Sequence, residues 1–217
     1  MLVLAIDTSS AAVTAAVVDV DDVVRAVARR VTVDARAHGE RLAPSIADCL
    51  AEAGAKPTDL GAIVAGLGPG PFTGLRVGLV TAAAMSDALG IPAYGVCSLD
   101  GVAGALDEAS LLVAGDARRR EVFWARYVDG VRVDGPHVDR PAEVSTVDSP
   151  AMAGAGARLY ADVLGLPLRD VDYPDPAALV RVAADRIRGG ADPDPLTPLY
   201  LRRPDAAEPH APKAVSR

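Results

Sequence analysis

Few side chains in this sequence have both the type and the company that chemistry requires. Three histidines occur, His38, His137 and His210, and no two have the spacing of a metal pair. The two cysteines, Cys49 and Cys97, lack a CxxC spacing. Cys49 reads as an apolar helix position and Cys97 as a strand end, so both are expected as buried, reduced thiols. Ser9 and Ser98 are candidate nucleophiles, but no histidine and acid partner is legible for either, and a serine-hydrolase reading has little support. His38 and Glu40 could form an acid–base pair, or a charge pair at the start of a helix. The run Arg118-Arg119-Arg120 could meet phosphates, or form a solvated or acid-paired turn. Asp7 and Asp116 each close an apolar strand. A carboxylate there can orient a metal–phosphate, or cap its own turn through local hydrogen bonds.

The tightest local constraint lies between Gly66 and Gly78. The apolar run Ala62-Ile63-Val64-Ala65 suits a strand buried on both faces. Gly66, Gly68, Gly70 and Gly74 then alternate with Pro69 and Pro71, which excludes a helix or strand interior. Thr73 is the expected N-cap of a helix running from Leu75 to Leu89, stopped by Gly90-Ile91-Pro92. Such a strand–loop–helix presents backbone N–H groups. It can hold an anion, or let another backbone approach closely. Neither GxxxxGK[ST] nor a Rossmann GxGxxG with a downstream acid is present, so the block is no nucleotide fingerprint by itself.

The elements that must position these groups follow from the rest of the chain. Its 217 residues can bury a sizeable core, and with only 4% aromatics that core must be built of small side chains in close contact. The formal charge of −7 argues against autonomous nucleic-acid binding, though not against lending a few arginines to a complex. Met1 leads straight into an apolar strand without a basic region or cleavage site, and no uncharged run is long enough for a bilayer, so the expected compartment is the cytoplasm.

Leu2–Ile6, Val13–Val18 and Val23–Val33 read as an antiparallel meander. A helix follows from Glu40 to Ala53, with Pro44 expected in its first turn; the strand at Ala62, the small-residue helix and a strand at 93–96 complete the half. The order β-β-β-α-β-α-β suggests a mixed sheet covered by helices. The second half repeats the opening. Leu111 to Asp116 lines up with Leu2 to Asp7, valines follow at Val122 and Val13, and Asp129-Gly130 is a type I′ hairpin signal. Beyond it, a short helix is expected at Pro141–Val144 and another from Ala157 to Leu164. Asp175-Pro176 opens an amphipathic helix with Leu179, Val182, Ala183, Arg186 and Ile187 on one face.

Two lobes, each opening strand–Asp–turn–strand, resemble the ASKHA superfamily, and within it the TsaB family. The matching segments are Leu4 to Ser9, His38 to Leu42, Gly68-Pro69-Gly70-Pro71-Phe72-Thr73-Gly74-Leu75-Arg76, Val96 to Leu99, Asp116 to Arg119 and Pro198 to Arg202. The resemblance implies an α/β fold of two ASKHA (actin-like ATPase or ribonuclease H-like) lobes, each a mixed sheet flanked by helices. The lobes would span 1–97 and 98–203, with the last segment able to pack back on the first and a mobile tail at 204–217. It implies a non-catalytic dimerisation subunit that binds and activates TsaD, with the ATPase TsaE, for threonylcarbamoyl modification of tRNA adenosine. Contact with tRNA would come only through the complex, and the chain could pair with itself when alone.

The catalytic relative carries a metal-binding His-x-x-x-His where this chain reads Ser98-Leu99-Asp100-Gly101-Val102, so no metal and no cofactor is expected. Asp7, Thr8 and Asp116 are then vestigial phosphate-loop candidates, and Gly154 and Gly156 a remnant of an adenosine loop. Gly68, Gly70, Pro71 and Thr73 form a structural loop. Leu42, Ile46, Leu50, Gly74, Leu75, Gly78, Leu79 and Ala82 are the expected partner interface. The alternative is a stand-alone ASKHA-type ATP-binding kinase or hydrolase. The old label glycoprotease for the superfamily finds no protease metal or nucleophile here.

Overall fold

A computed structural model describes residues 1–193 and 195–202. The tail at 204–217 lies outside the described residues. Valine-rich and alanine-rich segments form the first sheet, as β-branched and small side chains suit strands covered on both faces. Its elements are β1 (Leu2–Asp7), β2 (Ala12–Val20), β3 (Val24–Val33), α1 (His38–Glu52), β4 (Leu60–Gly66), α2 (Phe72–Leu89) and β5 (Ala93–Val96). The strand order is β3-β2-β1-β4-β5. β1 pairs antiparallel with β2 and parallel with β4.

The second half begins with α3 (Ser98–Ala103), then β6 (Ser110–Asp116), β7 (Val122–Val128), β8 (Val131–Asp139), β9 (Met152–Ala153), α4 (Ala155–Leu159), α5 (Ala161–Leu164) and α6 (Pro176–Arg188). Its sheet has the order β8-β7-β6-β9, with β6 antiparallel to β7 and parallel to β9. That is the β3-β2-β1-β4 arrangement repeated, and Asp7 and Asp116 end equivalent strands. At the β7–β8 hairpin Asp129 and Gly130 both have positive φ (48° and 74°), as a type I′ turn requires.

Each sheet is covered on both faces. On the first, Leu4, Ile6 and Val13 meet Leu42 and Ile46 of α1 and Leu75 and Leu79 of α2. Val3, Ala5, Val64 and Tyr94 on its other face meet Leu179, Val180, Ala183 and Ile187 of α6. α6 starts where Asp175 accepts from the Ala178 N–H at 2.8 Å, with Pro176 at its first position. On the second sheet, Leu99 and Val102 cover Leu111 and Val113, and Ala157 and Leu164 cover Leu112 and Met152.

Several local expectations are corrected. α2 starts at Phe72 with Pro71 at the N-cap, φ −60°, so Thr73 lies inside the first turn and caps nothing. The proline ring sets an entry geometry that needs no side-chain cap. α1 begins at His38, which puts Pro44 in the second turn. Pro44 and Glu40, whose carbonyl loses a donor, both face solvent, where water replaces the bond. The helix expected at 157–164 is two short helices broken at Tyr160, φ −120° and ψ 30°. Val182 is 46% exposed, off the buried face of α6. The Pro141–Glu143 segment is a single 3-10 turn. α3 and β9 are too short for a hydrophobic period to reveal them.

Candidate functional site

Asp7, at the C-terminal end of β1, is 1% exposed. Its Oδ1 accepts from the Ser9 N–H at 2.9 Å and the Ser9 hydroxyl at 2.8 Å, an Asx turn. Its Oδ2 accepts from the Ser98 hydroxyl at 2.5 Å. Ser98 Oγ in turn accepts from the Gly68 N–H at 3.0 Å, and the Ser98 N–H donates to the Gly68 carbonyl at 2.7 Å. One carboxylate thus ties the end of β1, the β4–α2 loop and the start of α3 together, with both oxygens engaged. Sequence reasoning weighed Ser98 only as a nucleophile and as a residue at a lost ligand position. Its true partner is 91 residues away, and no local spacing signals it.

Burial pushes the Asp7 carboxyl above its ordinary value of 3.8, the Ser98 and Ser9 hydrogen bonds opposing that shift. A carboxyl raised in the folded state favours folding while neutral. Its contribution is complete below the unfolded value and is lost as pH rises through the folded one. Asp7→Asn carries no such contribution. The melting temperature of wild type minus that of Asp7→Asn is therefore expected to fall from acid toward neutrality, as read by thermal denaturation at a series of pH values. A pH-independent difference would refute the buried carboxyl as its source.

The glycines of the Gly-Pro block serve close approach. A Cβ on Gly66 would lie 1.7 Å from Asp7 Oδ2, and one on Gly70 would lie 2.0 Å from the Ser9 carbonyl oxygen. Gly68, at φ +87°, adopts a left-handed conformation at the turn. Thr8 reaches into α2: its hydroxyl donates to the Gly74 carbonyl at 2.8 Å and accepts from the Gly78 N–H at 2.9 Å. These are the two ends of one i→i+4 helical pair, so Thr8 is built into the helix ladder. A Cβ on Gly78 would sit 2.5 Å from Thr8 Oγ1. Of the two uses open to the loop, the structure shows the approach of another backbone.

Asp116 repeats the Asx turn in the second lobe, accepting from the Arg118 N–H at 2.8 Å, and Oδ2 lies 3.3 Å from the Arg118 guanidinium. Arg118, Arg119 and Arg120 all have positive φ. A cavity of about 270 Å³ opens between the lobes, bordered by Ser9, Pro71, Asp116, Gly154, Asp172 and Tyr173. Gly154 and Gly156 pack their backbone on β6, where a Cβ would meet the Ala114 and Gly115 carbonyl oxygens at 2.2 and 2.5 Å. His38 is 8% exposed, with Nε2 2.7 Å from the Ser10 carbonyl oxygen, so that nitrogen is the donor. Glu40 is exposed, and no bond links it to His38 among the described residues. Cys49 and Cys97 are buried free thiols, and burial pushes Cys97 up to about 12.

The eight expected interface residues point inward. Leu42, Ile46, Leu50, Leu75, Leu79 and Ala82 are at most 6% exposed, and Gly74 and Gly78 are buried beneath Thr8. Each leucine contributes about 1.5–3 kcal/mol to the chain's own core, so opening them to a partner would unfold α1 and α2 from their sheet. The helices do have an outward side. On α2 it carries Val80, 66% exposed, with Ala83 and Ala84, and on α1 it carries Arg41, Ala43 and Ala47.

Two duplicated mixed sheets flanked by helices, meeting at a cleft below two strand-terminal aspartates, define an ASKHA-type (ribonuclease H-like) α/β protein. The family model for TsaD, tRNA N6-adenosine threonylcarbamoyltransferase, matches residues 31–182. The chain belongs to this family, on its TsaB (YeaZ) side. An uncharacterized Mycobacterium tuberculosis protein is 52% identical over 94% of this chain and 93% of its own length. The Escherichia coli tRNA threonylcarbamoyladenosine biosynthesis protein TsaB is 37% identical over 58% of this chain and 55% of its own length. A crystal structure of Pseudomonas aeruginosa YeaZ superposes with a TM-score of 0.78 at 27% identity, covering 92% of this chain and 99% of that one. This homology supports involvement in threonylcarbamoyladenosine biosynthesis. No helix among the described residues is long and apolar enough to cross a membrane.

Proposed function

We propose that this chain is a non-catalytic partner subunit that binds and activates the TsaD transferase, joined by TsaE, for threonylcarbamoyl modification of tRNA, in the cytoplasm. The observation that carries this reading is the sealed Asp7. In a phosphate-handling ASKHA site the first-lobe carboxylate faces the cleft with glycines around it. Here both of its oxygens accept from Ser9 and Ser98, and it is almost wholly buried. Freeing it for a metal–phosphate would strip three charge-assisted hydrogen bonds, each worth about 1.5–3 kcal/mol. The alternative, a stand-alone ATP-dependent kinase or hydrolase, would need that carboxylate. The lobes, divided near 97 and 98, are retained as a scaffold that presents α1 and α2.

The partner is placed on the outward side of these two helices, which lie side by side. Val80, Ala83 and Ala84 offer a small apolar surface on which another helix can pack closely. The same surface could hold a second copy of the chain when TsaD is absent. The test is threonylcarbamoyladenosine in hydrolysed tRNA, by mass spectrometry of cells depleted of this protein. Collapse of the modified nucleoside, restored by this chain and equally by its Asp116→Asn variant, is expected. An unchanged level would overturn the assignment to this pathway. Loss of rescue by Asp116→Asn with the chain still folded would return the cleft to an active role.

A further inference from the structure

Several arginines in this acidic chain are matched by carboxylates, Arg29 by Asp175, Arg30 by Glu52, Arg126 by Asp134 and Arg158 by Asp172, and others are not. The first turn of α2 combines arginines of the second kind with exposed aromatic rings. A pocket of about 290 Å³ there is lined by Arg36, Arg118, His38, Ser10, Phe72 and Thr73 among others, with no carboxylate in its wall. The Arg36 guanidinium has no carboxylate partner among the described residues, although its backbone N–H donates to Asp34, and nor does the Arg76 guanidinium at the pocket's edge. Beside the pocket stand two half-exposed rings, Phe72 at 40% and Tyr200 at 39%. They stack with centroids 5.2 Å apart and an interplanar angle of 27°. The Arg76 guanidinium lies 3.6 Å from the Phe72 centroid, and its Nε donates to the Tyr200 hydroxyl at 3.0 Å. These contacts tie the segment at Tyr200 to α2, and in a chain with 4% aromatics they still leave two neighbouring rings partly open beside Arg36. Burying these rings in the core would stabilise the fold more than leaving them at the surface.

We propose that this rim binds a single-stranded segment of RNA, a phosphate toward Arg36 and an unpaired base against the exposed part of the Phe72–Tyr200 pair. Open aromatic faces beside fixed cations are the means by which unpaired bases and their phosphates are held without a sequence code. The rim carries only a few positive charges. It therefore supplements a larger RNA surface rather than replacing one, in keeping with a net charge of −7. The inference rests on the proposed function, which makes RNA the macromolecule at hand. It locates the contact at the end of α2 facing the cleft, adjacent to the helix surface assigned to the protein partner.

The test is fluorescence anisotropy of a labelled RNA hairpin with an unpaired adenosine in its loop. It is run on the full chain alone and on its complex with TsaD, over a salt series. Phe72→Ala is expected to weaken RNA binding roughly 5-fold or more, and Phe72→Tyr to restore it. Arg36→Gln is expected to lower the slope of log affinity against log salt by about 0.7, one phosphate contact. Capture of TsaD should be unchanged in all three variants. RNA affinity and salt slope unaltered by both Phe72→Ala and Arg36→Gln would overturn the proposal. So would loss of TsaD capture with RNA affinity intact, which would make the rim a protein contact. RNA binding that persists in the chain alone while TsaD capture fails would preserve the rim and sink the partner assignment.

Discussion

Leu79→Glu is expected to leave the chain unfolded, whereas Val80→Glu, one residue further along α2, is expected to leave it folded and unable to hold TsaD. Leu79 is 5% exposed and packs in the cluster that joins α1 and α2 to the first sheet. A glutamate there loses about 1.5–3 kcal/mol of burial and adds the desolvation of a carboxylate with no partner, several kcal/mol more. Against a typical stability of about 5–15 kcal/mol that is enough to abolish folding. Val80 is 66% exposed, so a charge there touches no core atom and should shift stability by less than about 0.5 kcal/mol. On the helix surface assigned to the partner the same charge would be desolvated. Far-ultraviolet circular dichroism and a pull-down against TsaD read the two outcomes. Undiminished capture by Val80→Glu would move the partner to another face.

Gly66→Ala is expected to be as damaging as a large core truncation, although it adds a single methyl group. Its Cβ would stand 1.7 Å from Asp7 Oδ2 and 2.7 Å from Ser98 Oγ. Either the carboxylate moves and leaves its three donors, or β4 moves and breaks its parallel register with β1. Overpacking alone costs about 1–3 kcal/mol, and a disrupted buried network raises the loss to about 3–5 kcal/mol. Asp7→Ala makes room for the methyl. The cost of Gly66→Ala should therefore shrink by at least 1 kcal/mol, on the order of coupling between touching residues, when measured by urea denaturation in the Asp7→Ala background. Additive losses would mean that the methyl is accommodated elsewhere.

What could be read from the sequence was whatever a short window contains. The strands of both meanders show in runs of valine and alanine, the β7–β8 turn in Asp129-Gly130, and the start of α6 in Asp175-Pro176. The duplication was legible because Leu2 to Asp7 and Leu111 to Asp116 align without gaps. The site was not, because its bonds join distant segments: Asp7 to Ser98, Thr8 to Gly78, Phe72 to Tyr200. The glycine block offered an anion site or a close backbone approach without saying which, or what approached. The apolar pattern of α1 and α2 correctly separated an apolar face from the rest. It could not tell a face turned to the chain's own sheet from one turned to a partner, and Leu79 and Val80 show how little separates them.

The position of α6 bears on how the protein is made. Both sheets are continuous in sequence, yet among the described residues it is α6, through Ala177, Leu179, Val180, Ala183 and Ile187, that covers the other face of the first sheet. On the ribosome the first lobe is therefore synthesised long before the helix that finishes it. In that interval Val3, Ala5, Val64 and Tyr94 form an open apolar surface. Contacts of such long sequence separation slow folding, and an uncovered sheet face invites aggregation. The half of the molecule that would carry the partner surface is the half that matures last. A truncated chain lacking α6 would leave that apolar face uncovered.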